Sequence, residues 1–341
     1  MSIPATMRAV VLTGHGGPEV LEFRDDVPVP EPGPGEVLVE VSACGMNNTD
    51  INTRVGWYGG GSWGGGLEFP RIQGADPVGR IVAVGHGVAE EMVGRRVLID
   101  GWLRGERLEE ARYLGSEVDG GFAEYVAVPV TNAHPIETPL SDVELASFPC
   151  SYATAEYMLH RAGVREDHWV LVTGASGGVG GALIQLARRR GARVIALTSQ
   201  AKIDAIEGAE VVLDREASDL AASIRSVSDG GVDVFADVVG GDLFATLLET
   251  VRRGGHYTAA GAIAGPIVSL DLRVLYLHDL TMHGATVLPP EVFSNLVGYI
   301  ERGDIRPIVA ATYPLKRIHE AQEAFVAKKH VGAIVIEIAG G

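Results

Sequence analysis

The sequence predicts an α/β chain in two parts, a β-rich part followed by a doubly wound parallel sheet. Three observations predict it. From residue 7 to 130, short valine-rich runs alternate with Gly and Pro clusters such as "PVPEPGPGE", the pattern of short strands joined by turns. From residue 140 onward, strand-like runs alternate with stretches of helical spacing, which argues for parallel strands and crossover helices. At the start of that second part, "WVLV" runs directly into the glycine-rich "TGASGGVGG", residues 173 to 181.

Taken in order, "RAVVLT", "EVLVEVSA", "GRIVAVG", "RRVLID" and "GFAEYVAVP" read as strands. They are β-branched and alternate or run apolar between turn residues. The run "SDVELASFPCSYATAEYMLHRAG" has helical spacing, with Ser141 as N-cap and Glu144 three residues on, a capping-box pattern. Strands are then expected at "WVLV", "RVIALT", "EVVLD", "VDVFADVVG", "HYTAAG" and "TMHGA". Helices are expected at "VGGALIQLARRRG", "QAKIDAIEG", "SDLAASIRSVSDG" and "DLFATLLETVRRGG". The C-terminal segment adds a helix, "PEVFSNLVGYIERG", and a β-like run, "GAIVIEI". The insert "GWYGGGSWGGG", residues 56 to 66, reads either as a glycine-rich surface loop or as a lid weighted by Trp57, Tyr58 and Trp63.

Composition narrows the function. The 341 residues carry a formal net charge of −16, with the acids scattered along the chain. Such a surface repels phosphodiester backbones and anionic lipid, which disfavours nucleic-acid and membrane partners. Cys44 and Cys150 are the two cysteines, too few for a disulfide framework or a thiolate-cluster zinc site. No secretory-leader pattern and no membrane-length apolar run is present. A soluble, cytoplasmic protein is expected.

Gly174, Gly177, Gly178 and Gly180 form G-x-x-G-G-x-G between a strand and a helix. This is a variant of the dinucleotide fingerprint. One glycine allows the tight turn, the middle pair lets backbone amides approach a pyrophosphate, and the last permits close packing. The helix N-terminus supplies unpaired donors and partial positive charge. Ala175, Ser176 and Val179 complete the expected phosphate loop. Two other readings fit the same letters. "GASGG" is also G-x-S-x-G, a nucleophile elbow at Ser176, with Asp237 and His256 downstream; or the glycines serve packing alone. For the nucleotide reading, the second strand ends in "ALTSQAK" with no carboxylate for a ribose 2′-OH. Thr198, Ser199 and Lys202, with Arg215 after the next strand, suit a 2′-phosphate instead, so NADPH is the expected cofactor.

The segments "PGPGEVLVEVSACGMNNTD", "GADPVGRIVAVG", "GGFAEYVAVP", "LVTGASGGVG" and "VGAIVIEI" together resemble the medium-chain dehydrogenase/reductase superfamily over essentially the whole chain. Its zinc-free quinone oxidoreductase branch is the nearest match. The resemblance implies a GroES-like β-barrel catalytic domain, residues 1–133 and 286–341, and a Rossmann NADP-binding domain, residues 134–285. It also implies a homodimer or homotetramer formed through the last Rossmann strand. Zinc-dependent members carry cysteine at the position of Asn47 and histidine at that of Ala75; Cys150 matches a third ligand, with Asp76 beside the lost pair. No structural-zinc lobe of four cysteines is present. Metal is therefore not expected.

By the same resemblance Asn47 lies near the nicotinamide and the substrate carbonyl, where its amide can donate to a developing oxyanion. Thr49 occupies a proton-relay position, Thr154 lies against the nicotinamide and Gly261 along its other side. Solvent or Tyr58 supplies the proton. No tyrosine has a lysine four residues later, so the short-chain reductase pair is absent. The expected reaction is metal-free reduction of a quinone or α,β-unsaturated carbonyl, whose enolate charge neutral donors can stabilise. The alternatives are a zinc-dependent alcohol dehydrogenase with a degenerate metal site, and a non-catalytic NADPH-binding sensor.

Overall fold

The computed structural model describes residues 3–58 and 67–338. The chain divides into two units, Met1–Cys150 with Phe293–Gly341, and Ser151–Val292. These turning points lie C-terminal of the expected boundaries at residues 133 and 285.

Among its described residues the first unit begins with the strands β1 (Thr6–Leu12), β2 (Leu21–Pro28), β3 (Glu36–Gly45), β4 (Arg71–Ile72), β5 (Asp76–Val84), β6 (Arg96–Ile99), β7 (Trp102–Leu103), β8 (Arg112–Tyr113), β9 (Tyr125–Pro129) and β10 (Ala133–Pro135). Helix α1 (Asn48–Val55) follows β3, and α2 (Asp142–Leu145) follows β10. Helix α3 (Pro149–Arg161) carries the chain into the second unit. There β11 (Trp169–Val172), α4 (Gly178–Arg189), β12 (Arg193–Thr198), β13 (Val211–Asp214), α5 (Leu220–Val227), β14 (Val232–Asp237), α6 (Phe244–Leu248), β15 (Val251–Ala259), α7 (Leu272–Leu277) and β16 (Thr281–Gly284) succeed one another. Helix α8 (Pro290–Glu301) returns to the first unit, which closes with β17 (Val309–Pro314), α9 (Ile318–Val326) and β18 (Ala333–Glu337).

In the first unit a seven-stranded sheet runs β10-β6-β5-β3-β18-β17, with β9 also paired to β3. Its core is built from alternate residues of these strands, among them Val37, Val39, Val41, Ile81, Val97 and Ile336, with Phe122 added from the segment before β9. Burying such β-branched side chains is the main force holding the sheet together, at roughly 25 cal/mol per Å² of apolar surface. Strands β3 and β5 pair antiparallel in a register that sets Gly45 opposite Asp76. Gly45 is glycine because a Cβ there would meet the Ala146 carbonyl oxygen at 2.1 Å.

The second unit holds a six-stranded sheet in the order β13-β12-β11-β14-β15-β16, parallel throughout. The order reverses between β12 and β14, on either side of β11. That is the switch point at which doubly wound sheets bind ligands.

Three expected elements differ. The helical run from Ser141 is two helices, because Pro149 opens α3 and disfavours helical backbone at the residue before it. Ser141 does cap α2, accepting from Glu144 N–H at 3.2 Å while the Glu144 carboxylate accepts from Ser141 N–H at 2.8 Å. "QAKIDAIEG" forms a 3-10 helix limited to Gln200–Ala205. "DLFATLLETVRRGG" leaves the helix at Leu248 and enters β15, where Gly254 has φ +73°, a conformation no α-helix contains.

Candidate functional site

The glycine turn links β11 to α4, with Gly177 as N-cap. Its glycines separate into two kinds. Gly174 has φ +62°, where a Cβ is strained. At Gly180 a Cβ would meet the Gly174 carbonyl oxygen at 2.2 Å, and at Gly178 it would meet Ser151 Oγ at 2.4 Å. Those three are bare for intramolecular reasons. Gly177 is not: a Cβ there has only the Gly174 oxygen near it, at 3.4 Å. The space beside Gly177, at the helix end whose first amides lack intrahelical acceptors, is open. The turn thus fits a dinucleotide pyrophosphate.

Ser176, Lys202 and Arg215 come together. Lys202 Nζ donates to Ser176 Oγ at 3.4 Å. Burial, and then the Arg215 guanidinium, hold the Lys202 ammonium below its ordinary pKa, so both cations share one field. Arg215 N–H donates to the Thr198 carbonyl at 2.8 Å, and Lys202 N–H to that of Ser199 at 2.9 Å. Thr198 itself is buried at the end of β12. Thr154 is half-buried on α3, and Gly261 is exposed beyond the end of β15.

The nucleophile-elbow reading is not assembled. Asp237 accepts from Thr173 Oγ1 at 2.6 Å, from Val239 N–H at 2.9 Å and from Tyr257 Oη at 3.2 Å. His256 Nδ1 is hydrogen-bonded to His283 Nε2 at 3.1 Å. Neither partner is Ser176.

The second constellation lies in the first unit. Asn47 caps α1 from an extended backbone, φ −131°. Its N–H donates to the buried Asp50 carboxylate at 2.7 Å. Its Nδ2 donates to Asp76 Oδ2 at 2.8 Å, while Asp76 Oδ1 accepts from Cys150 N–H at 2.9 Å. Both acids are 1% exposed. Burial raises the Asp50 pKa to about 7, with the Asn47 N–H pulling the other way. Burial also raises Asp76 well above the carboxylate range, opposed by the Asn47 amide.

Thr49 and Tyr58 meet here too. The Tyr58 hydroxyl is hydrogen-bonded to Thr49 and accepts from Asn52 Nδ2 at 3.2 Å. Tyr58 is 39% exposed. Trp63 and residues 59–66 of the expected lid lie outside the described residues, so that reading stays with the sequence.

Sequence reasoning missed Tyr113. The β7–β8 pair sets it opposite Trp102, with ring centroids 4.6 Å apart. Its hydroxyl is hydrogen-bonded to Cys150, and burial, then the Cys150 and Asp76 charges, push its pKa up. No local motif marks it, since a two-residue strand gives no periodicity.

Among the described residues no group of three or more His, Cys, Asp or Glu side chains is placed to hold a metal ion. No described helix is long and apolar enough to cross a membrane.

A chain with a strand-rich unit around Asn47 and a doubly wound unit around a glycine turn is built as a dinucleotide-dependent oxidoreductase. Residues 33–138 match the family "Alcohol dehydrogenase GroES-like domain" and residues 178–302 match "Zinc-binding dehydrogenase". The acryloyl-coenzyme A reductase of Metallosphaera sedula is 31% identical over 97% of this chain and 99% of that protein. The quinone oxidoreductase of Mus musculus is 30% identical over 94% of each. A solved Sinorhizobium meliloti structure described as an alcohol dehydrogenase has TM-score 0.93 and 48% identity, covering 98% of this chain and 97% of that one. The chain belongs to the medium-chain dehydrogenase/reductase superfamily, in its quinone oxidoreductase-like branch.

Proposed function

We propose that this chain is an NADPH-dependent reductase of quinones or α,β-unsaturated carbonyls that works without a metal. The hydrogen-bonded series Asn47–Asp76–Cys150 carries the reading. Where metal-dependent relatives supply thiolate and imidazole, this chain has Asn47 and Ala75. A carboxamide nitrogen that donates to Asp76 offers no lone pair to a cation, and alanine offers no donor atom. Cys150 and Asp76 alone fall short of the three or four ligands zinc requires. The donor set does not fit the metal.

Lys202, Ser176 and Arg215 support NADPH over NADH, since two cations and a hydroxyl suit a 2′-phosphate. When bound, the reduced nicotinamide supplies the hydride. The chain's own contribution is then positional and electrostatic. The Nδ2–Asp76 Oδ2 hydrogen bond holds the Asn47 carboxamide in one orientation. The Nδ2 group carries two hydrogens, so donation toward a substrate oxygen is compatible with the Asp76 bond. One such preorganised donor is worth about 2.7–4 kcal/mol to a transition state developing oxyanion charge. Tyr58, held by Thr49 and Asn52, carries the proton that completes reduction. The acryloyl thioester named for the Metallosphaera relative is itself an α,β-unsaturated carbonyl, which favours the enone arm.

The exposed edge strand β16, with Met282 and Thr281 open to solvent, is the face on which we place pairing between copies. The deciding experiment follows NADPH absorbance against a panel of enones, enoyl thioesters and quinones. Consumption is expected with at least one class. Tight NADPH binding with no consumption would identify a sensor instead.

A further inference from the structure

At the N-terminal ends of β11, β14 and β15 the second unit holds a cavity of about 440 Å³ lined by Arg161, Arg165, His168, Asp233, Arg252 and His256, among others. Its volume lies within the range of small-molecule sites. It lies at the opposite ends of β11 and β14 from the glycine turn, which follows the C-terminal end of β11.

One wall has an unusual origin. Asp233 separates Val232 and Val234 on β14, but their partners Val251 and His256 on β15 are separated by Arg252–Gly255. The extra residues bulge from the ladder. Gly255 permits this because a Cβ would meet Asp233 O at 2.9 Å and Val251 Cγ1 at 2.5 Å. The bulge brings two arginines to the cavity wall, Arg252 and Arg253, the Arg253 guanidinium also donating to the Leu277 carbonyl at 2.8 Å. Arg161 and Arg165 add two more from the other side, in a chain whose net charge is −16.

The one carboxylate present is already engaged. Asp233 accepts from Trp169 N–H at 2.7 Å and pairs with Arg252. Arg161 donates to the Gly284 carbonyl at 2.7 Å. The Arg165 carbonyl accepts from His168 N–H at 3.3 Å, while its guanidinium makes no hydrogen bond or ion pair among the described residues. His168 supplies an independent sign. It is 8% exposed, yet its Nδ1 has no hydrogen-bond partner. A buried polar atom without a partner costs roughly 1–3 kcal/mol, and this one belongs to a residue that lines the cavity, its other ring nitrogen lying 3.8 Å from Asp233 Oδ1. After burial itself, the charges of Arg165, Arg252 and His256 further suppress its protonation.

We propose that this cavity is an anion site for a phosphate-bearing small molecule, bound by Arg165 and His168 and framed by Arg161 and Arg252. Guanidinium groups match phosphate oxygens in bidentate geometry, and a dianion lets His168 take up its proton and donate. The site is separate from the dinucleotide turn and independent of the proposed reaction.

The test is calorimetric titration of the full chain with pyrophosphate, at constant ionic strength, in wild type, Arg165→Ala and Gly177→Ala, the last to weaken binding at the glycine turn. A saturable component is expected in wild type and in Gly177→Ala, weakened about tenfold or more in Arg165→Ala. Arg165 is exposed, so its replacement leaves the fold intact. In parallel, pyrophosphate should raise the pKa of the His168 ring, read by NMR against a His168→Gln assignment control. Binding lost in Gly177→Ala but kept in Arg165→Ala would place the anion at the glycine turn and overturn the proposal. So would a His168 ring that does not respond, or no saturable binding at millimolar pyrophosphate.

Discussion

Asn47 Nδ2 lies 2.8 Å from Asp76 Oδ2, a buried amide-to-carboxyl bond between residues 29 apart in the sequence. Asp76 therefore sets the orientation of Asn47. Asn47→Ala is expected to keep NADPH affinity and lose 10²–10³-fold in kcat, the usual cost of one oxyanion donor. Asp76→Asn is expected to lower kcat with little change in the KM for NADPH, because it disturbs the direction of the carboxamide. Steady-state kinetics with an enone substrate check both; unchanged kcat in Asn47→Ala removes this residue from the mechanism.

Lys202→Ala should weaken NADPH binding and leave NADH binding near its starting value. Losing one charge-assisted contact of about 1.5–3 kcal/mol corresponds to roughly 10–100-fold. Fluorescence titration with each nucleotide measures the ratio. Equal losses for the two nucleotides would mean that Lys202 does not read the 2′ position.

The two kinds of glycine in the turn should respond differently to alanine. Gly180→Ala forces a Cβ against the Gly174 oxygen, 2.2 Å away, and should cost stability on the scale of overpacking, about 1–3 kcal/mol. Gly177→Ala meets little in the protein; it should fold normally and bind nucleotide more weakly. Thermal melts paired with nucleotide titration separate the effects.

Asp50 gives a pH signature of definite sign. Its folded pKa is raised to about 7 by burial, against about 3.9 in an unfolded chain. Between pH 4 and 7 the folded state therefore binds more protons than the unfolded state, and Asp50's contribution to stability falls as pH rises. The slope approaches about 1.4 kcal/mol per pH unit and flattens above pH 7. Denaturant titrations of wild type and Asp50→Asn across that window should show the difference between them shrinking as pH rises. A difference independent of pH would refute the assignment.

The proposed mechanism gives the proton-donor role to Tyr58 and not to Tyr113. Tyr58→Phe should lower kcat in water while binding is retained. Tyr113→Phe, which breaks only the Cys150 contact, should have the smaller effect on kcat. The reverse ranking would transfer the role to Tyr113.

Where a feature was short and contiguous, the sequence was enough to find it. The glycine turn, the Ser141–Glu144 cap and the alternation of strand and helix all lie within a few residues of their cause. What was not legible depends on register. Asp76 reaches Asn47 because β3 and β5 pair with Gly45 opposite Asp76. Tyr113 reaches Cys150 from a β7–β8 pair of two residues per strand. Helix α9 was overlooked because its buried face contains Gln322, which accepts from Arg54 Nε at 2.8 Å; a polar residue there interrupts the apolar stripe. The helix expected through residue 255 failed because local propensity carried "ETVRRGG" further than β15 allows.

The second unit is one uninterrupted stretch, Ser151–Val292, spliced between two pieces of the first. Lys202, Ser176, Arg215 and the turn all fall inside it, whereas Asn47, Asp76, Tyr113 and Cys150 all fall outside. On the function proposed above, coenzyme preference and acceptor preference are therefore written on separable cassettes. Genetic exchange of the inner cassette between relatives would transplant one trait and leave its counterpart behind.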